Sequence, residues 1–128
     1  MVKALSIMNH KLNNDQMEDL KNNWNIIAVD ELNTNEKNIW GNIPPEMNKD
    51  ELKTYLKPIL FKIKNGDYEY IILAGELSAC LILIEEIDKT IYADIITATT
   101  RRESIEMISP DGETIKKSVF KHVRFREL

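Results

Sequence analysis

Two arginines in tandem, Arg101 and Arg102, directly follow a threonine-rich run, Thr97 to Thr100. Guanidinium forks pair with phosphate oxygens, and nearby Thr hydroxyls and amides complete such a cradle. A solvated face is the competing reading, because exposed arginines are common. His10, next to Asn9, carries an imidazole able to give or take a proton near neutral pH, although a histidine in a surface loop needs no such role. The segment "KKSVFKHVRFREL", Lys116 to Leu128, gathers five cations, one acid and two phenyl rings. Strict alternation along a strand places Ser118, Phe120, His122, Arg124 and Arg126 on one face and Val119, Lys121, Val123 and Phe125 on the other. The second face reads as core. The first offers Phe120 for packing or base stacking and arginines for phosphate, while an edge strand made cationic against aggregation has the same pattern.

These cations stand out against an acidic background. Residues 1 to 100 hold 10 basic and 16 acidic side chains, giving −6, and residues 101 to 128 hold 7 and 5, giving +2. A local basic field in a protein of net charge −4 suits an anion held at one place. Generic binding to duplex DNA scales with the phosphates neutralised and would favour a wider basic surface. The 128 residues, 43% hydrophobic and 30% charged, fit one domain spanning 1–128. No secretory signal pattern opens the chain, and the longest apolar run, "LSACLILI", is far too short for a bilayer span, so a soluble cytoplasmic protein is expected. One cysteine, Cys80, and two histidines allow neither an intrachain disulfide nor a spaced structural zinc site. No metal or cofactor is expected.

The elements that must position these groups follow from periodicity. "VKALSIM" reads as a first strand. Asn13 and Gln16 have capping-box spacing, Leu12 and Met17 occupy the two positions of a hydrophobic staple, and Met17, Leu20 and Trp24 fall on one helical face. "NIIAV" is a second strand, followed by a connection, "DELNTNEKNIWGNIPPEM", containing a short helix. A helix over Lys49 to Lys64 starts at a second capping box, Asn48 with Glu51. Pro58 should kink it near Thr54 or end its first half at Lys57, and "NGD" stops it. "YEYIILAG" is a strand buried on both sides, and Gly75 permits a tight turn into "ELSACLILIEEIDKT", whose length and acidic close favour a well-buried helix over a strand. "IYADIITATT" is a further strand, and "SPDG" supplies turn chemistry for a terminal hairpin.

That order predicts an α/β fold, a Rossmann-like parallel sheet flanked by helices and closed by a C-terminal antiparallel β-hairpin. In such sheets ligands bind outside the carboxyl ends of the strands. Those ends carry Ser6 to His10, Leu73 to Glu76 and Thr97 to Arg102. Neither GxGxxG nor GxxxxGK[ST] is present, and Gly75 reads as a turn glycine or as a site of close backbone approach. No GxSxG elbow surrounds any serine, Cys80 lies in apolar company that disfavours its thiolate, and Glu85 and Glu86 point to different helix faces.

The segments "SIMNHKLNNDQMEDL", "IWGNIPPE", "YLKPI", "GDYEYIILAGE" and "ATTRRESIEMISPDGETIKKSVFKHVRFREL" together resemble a family of small type III CRISPR-associated accessory proteins of the Csx series, related to the CRISPR-associated Rossmann fold. The resemblance runs over nearly the whole chain. Some members are ring nucleases that degrade cyclic oligoadenylate messengers, chiefly the tetra-adenylate, and the resemblance implies that function here. It also implies a metal-independent phosphodiesterase in which a ribose 2′-hydroxyl attacks the adjacent phosphate in line. On this reading His10 does general acid or base work, with His122 as the alternative. Arg101 and Arg102 meet phosphate, and Asn9, Glu76 and Thr99 meet adenine or ribose. Ser6, Gly75, Thr100 and Arg124 complete the expected ligand set. The internal symmetry of the ring fits a twofold homodimer.

Two other readings stay open. One is a sensor or sponge that binds the cyclic messenger without cutting it, since fold and pocket do not entail catalysis. The other is a regulatory module that uses the basic hairpin on linear RNA.

Overall fold

In a computed structural model that describes residues Val2–Leu128, the chain runs β1 (Val2–Ile7), α1 (Asn14–Trp24), β2 (Ile26–Glu31), α2 (Thr34–Gly41), α3 (Lys49–Tyr55), α4 (Lys57–Asn65), β3 (Tyr70–Leu73), α5 (Leu77–Thr90), β4 (Asp94–Ile108) and β5 (Thr114–Glu127). The sheet order is β2-β1-β3-β4-β5. The first four are parallel neighbours, and β5 runs antiparallel along β4. The mixed α/β fold with a C-terminal hairpin is therefore the one the sequence predicts.

Crossover handedness explains where the helices lie. From β1 the chain steps outward to β2, then returns across β1 to β3 and on to β4, and right-handed connections in opposite directions put their helices on opposite faces. Accordingly Leu20 of α1 packs with Ala4, Ile26, Ile72, Ile96 and Phe125 on one face. Residues of α2 to α5, among them Trp40, Leu56, Ile59 and Leu83, pack with Leu5, Ile7, Ile71, Leu73 and Ile95 on the other. Each fully buried Leu or Ile contributes roughly 1.5–3 kcal/mol of transfer free energy.

Local chemistry sets the helix boundaries. Asn13 with Gln16 and Asn48 with Glu51 form complete capping boxes, and Asn33 with Glu36 forms a third within the connection expected to hold a short helix. Each satisfies two otherwise orphaned backbone donors. The long helix expected over Lys49 to Lys64 breaks at Leu56, between the two predicted points. Pro58 then lies in the first turn of α4, where a missing N–H costs nothing. α5 is a helix, as its length implied.

The hairpin departs most from expectation. β3 pairs with β4 only through Ile96, yet β4 and β5 continue paired as far as Ile108 and Thr114, so a two-stranded ribbon projects past the carboxyl edge. The register also shifts: Thr99 faces Arg124 while Thr100 faces His122, leaving Val123 as an extra residue. This bulge reverses the side-chain phase. His122 and Phe125, which strict alternation separates, lie together with ring centroids 4.9 Å apart.

Candidate ligand site at the carboxyl edge

The strand order reverses between β1 and β3, which is where an open α/β sheet forms its crevice. Ile7 and Leu73 are paired neighbours, so Asn9 and His10 emerge beside Gly75 and Glu76. Trp40, at the end of α2, closes the inner wall: it is 2% exposed and its indole N–H donates to the Ala74 carbonyl at 2.9 Å. A Cβ at Gly75 would stand 2.6 Å from the Trp40 ring. Glycine is required here by close approach, the second of its two expected readings. Gly41 abuts the Asn9 side chain, with 3.1 Å between Asn9 Oδ1 and where a Cβ would stand. Trp40 and Gly41 thus belong to the wall of the crevice, and sequence reading missed both. The buried-donor requirement of a tryptophan indole was the available signal.

Glu76 serves its own helix. Its carboxylate caps α5, accepting from the Ser78 amide at 2.8 Å and the Ala79 amide at 3.1 Å. The hydrogen bond from the Ser78 backbone, with a smaller one from Ala79, holds the carboxyl below the usual glutamate range against a modest opposing effect of burial. The positive end of α5 is therefore already neutralised by an internal carboxylate. Asn9 and His10 are exposed at the rim, whereas Ser6 is buried within β1 at 4% exposure, so its hydroxyl does not reach the crevice.

The second group of expected residues lies on the ribbon, which rises from the same edge. Thr100 stands three residues past the level of Leu73, about 10 Å along the strand. Arg101 and Arg102 are exposed, and alternation sends them to opposite faces. Arg102 Nε and Nη2 donate to Ser118 Oγ at 3.2 and 3.0 Å, and the Thr99 hydroxyl donates to the Arg124 carbonyl at 2.8 Å. Arg124 Nε donates to the Phe125 carbonyl at 3.1 Å and its side chain lines a cleft with Asp19, Asn23 and Trp24 on the α1 side.

His122 is docked against α1. Its Nε2 lies 2.6 Å from Asp19 Oδ2, with the two side chains 4% and 12% exposed, and its Nδ1 is buried without a hydrogen-bond partner among the described residues. Burial pushes the Asp19 carboxyl up, but hydrogen bonds from Asn23 and His122 and the attraction to His122 together outweigh it and hold the group below the usual aspartate range. The bulge at Val123 turns this imidazole toward the helix and away from the crevice. The crevice therefore assembles Asn9, His10, Gly75 and Glu76 against Trp40. Thr99, Thr100, Arg101 and Arg102 form a cationic post beside it, and His122 and Arg124 fasten the base of that post. Among the described residues no three His, Cys, Asp or Glu side chains are grouped to hold a metal ion, and no helix is long and apolar enough to cross a membrane.

Residues 2–126 match the uncharacterized protein MJ1673 family. The chain belongs to that family. It is 33% identical over 130 residues to the uncharacterized protein MJ1673 of Methanocaldococcus jannaschii, an alignment covering 99% of this chain and 97% of that relative. The MJ1673 likeness thus includes both the crevice and the ribbon. No solved structure matches the chain.

Proposed function

We propose that this protein is a ring nuclease that binds and opens cyclic tetra-adenylate, switching off type III CRISPR signalling in the cytoplasm. One observation supports the reading above the others: the crevice at the strand reversal, with its uncommitted Asn9 and His10, stands beside a ribbon whose base carries Arg101 and Arg102. A cyclic tetranucleotide presents phosphates around purines, and a cationic post next to a polar crevice suits both.

Opening the ring forms a bond between a ribose 2′-oxygen and the adjacent phosphorus and breaks the bond from that phosphorus to the 5′-oxygen. The proton leaves the 2′-hydroxyl, a proton is delivered to the departing 5′-oxygen, and the ends are a 2′,3′-cyclic phosphate and a 5′-hydroxyl. His10 is assigned one of these proton transfers. Arg101 stabilises charge on the phosphoryl oxygens, and most of the acceleration comes from holding the attack in line. A twofold homodimer presents the same half-site to each half of the ring.

A second reading, a receptor that sequesters the ring intact, draws on His10 itself, which is exposed rather than fixed by an orienting side chain. Replacing His10 by Ala separates the two. Under the nuclease reading, single-turnover cleavage of labelled ring slows by roughly 10²–10⁴ with affinity preserved. Unchanged turnover removes the His10 assignment, and a wild-type protein that retains the ring uncut establishes sequestration.

A further inference from the structure

The two tandem arginines stand on opposite faces of the ribbon, and those faces differ. His122 meets Asp19 of α1, so the face that holds His122 is the α1 side, and directly opposed residues of an antiparallel pair share a face. Thr100 with His122, Arg102 with Phe120 and Ser104 with Ser118 therefore stand on the α1 side. Arg101 with Lys121 and Glu103 with Val119 stand on the other, where Lys121 pairs with Glu103 at 3.3 Å. From Thr100 to Ser104 the α1-side face of the ribbon offers a guanidinium, hydroxyls and an aromatic ring, and among the described residues no carboxylate. Asp19, the α1 carboxylate that meets the ribbon, is already engaged by His122 and Asn23.

Phe120 is 69% exposed directly across from Arg102. Protection of an edge strand against aggregation accounts for its cations but not for a phenyl ring left in water. Arg102 is held ready beside that ring: Nε and Nη2 both donate to Ser118 Oγ, at 3.2 and 3.0 Å. This grip occupies one edge of the guanidinium and leaves the N–H groups of Nη1 and one of Nη2 as an outward fork, and a side chain ordered in advance loses less freedom when an anion binds. The acid-free stretch runs four residues along β4, about 13 Å, before Glu106 and Lys116 follow. One ring stacks one base, so the strip suits a single nucleotide better than a run of linear RNA, which draws on successive rings.

We propose that this strip is a nucleotide platform: a purine base lies on the Phe120 ring, and the phosphate of the same nucleotide accepts from the Arg102 fork, with the Thr100 and Ser104 hydroxyls beside it. Cross-strand neighbours have Cβ atoms about 4.5–5.5 Å apart, so one nucleotide reaches both groups. The chain passes over the carboxyl edge from β1 to α1 through Asn9 and His10, which brings those two residues toward the platform's side of the sheet. With the ring of the proposed function as ligand, the stacked base is one of its adenines; that identity rests on the proposed function, and the platform itself does not.

Adenosine monophosphate is the probe, because it carries one base and one phosphate. Titrated into the isotope-labelled full chain and followed by NMR, it should move the Arg102 Nε–H signal and the amide signals of Ser118 to Lys121. Phe120→Ala should weaken that binding roughly 5- to 150-fold, the range for one stacked base, and Phe120→Tyr should keep it. Arg102→Ala should weaken the monophosphate and leave adenosine unaffected, whereas Phe120→Ala weakens both. Lys121→Ala, on the other face, should change neither. Circular dichroism establishes that each variant is folded. Ribbon signals that stay still at millimolar ligand overturn the inference. Equal binding by wild type and Phe120→Ala does so too, as does a loss in Lys121→Ala as large as in Arg102→Ala, the mark of diffuse charge attraction. A protein that binds the cyclic ring regardless of Phe120→Ala keeps the proposed function and loses the platform. One that holds the monophosphate on the ribbon but neither binds nor opens the ring keeps the platform and loses the function.

Discussion

Asp19 and His122 lie 103 positions apart in sequence and meet at 2.6 Å, so their coupling reports directly whether the base of the ribbon is docked on α1. Leaving a buried hydrogen-bonding group without its partner costs about 1–3 kcal/mol, and more when that group is a carboxylate. After His122→Ala, Asp19 still accepts from Asn23 at 2.7 Å and retains some solvent contact, which brings the expected loss to roughly 2–3 kcal/mol, including ring packing with Phe125. Asp19→Asn keeps an acceptor oxygen and should cost about 1 kcal/mol. If the pair acts as a unit, the double variant loses less than the sum, with a coupling of about 1–2 kcal/mol. Equilibrium urea unfolding at neutral pH with a constant m-value measures all four corners of the cycle. The pH sign is fixed by Asp19: a carboxyl held lower in the folded state stabilises fully above its ordinary value of 3.8, and that contribution disappears as pH falls through the depressed folded value. Asp19→Asn should therefore flatten the acid limb. Additivity within about 0.3 kcal/mol would refute the docking of His122 on α1.

Gly75→Ala should cost about 1–3 kcal/mol and perturb tryptophan fluorescence, because the new methyl meets the Trp40 ring at 2.6 Å; an unperturbed spectrum with full stability contradicts the wall described here. Glu76→Ala removes the α5 cap and should cost about 1 kcal/mol in the same unfolding assay, whereas Glu76→Asp or Asn, both good caps, should recover much of it. Burial pushes the Cys80 thiol up to about 11, with a smaller contribution from Glu76, so alkylation by iodoacetamide at pH 8 should be much slower than for a free peptide thiol. Equal rates would show that the site is open.

Local signals were legible wherever a few adjacent residues decide the structure. The Asn13 and Asn48 capping boxes, the turn at Ser109 to Gly112 and the helical length of α5 all depend on neighbours in sequence. The parallel sheet and its antiparallel closing hairpin followed from the alternation of strands and helices, whereas the order of the strands within the sheet came only from the structure. The phase of β5 was not legible, because a bulge is selected by what docks on it, and Asp19 is distant in sequence from Val123. Alternation consequently placed His122 with the ligand set when it belongs with α1. Ser6 failed differently: it lies inside the last turn of β1 pairing, flanked by Glu31 and Ile72, so its position near a strand end says nothing of exposure. Trp40 and Gly41 were missed because the connection holding them reads only as a link with a short helix in it, and only the return of α2 over the strand reversal brings them to Gly75 and Asn9.

Incubation of the purified protein with labelled cyclic tetra-adenylate in the presence of EDTA tests the central claim most directly. Linear products ending in 2′,3′-cyclic phosphate, formed despite chelation and reduced by Arg101→Ala, are the predicted result. A ring that is neither bound nor opened contradicts the account.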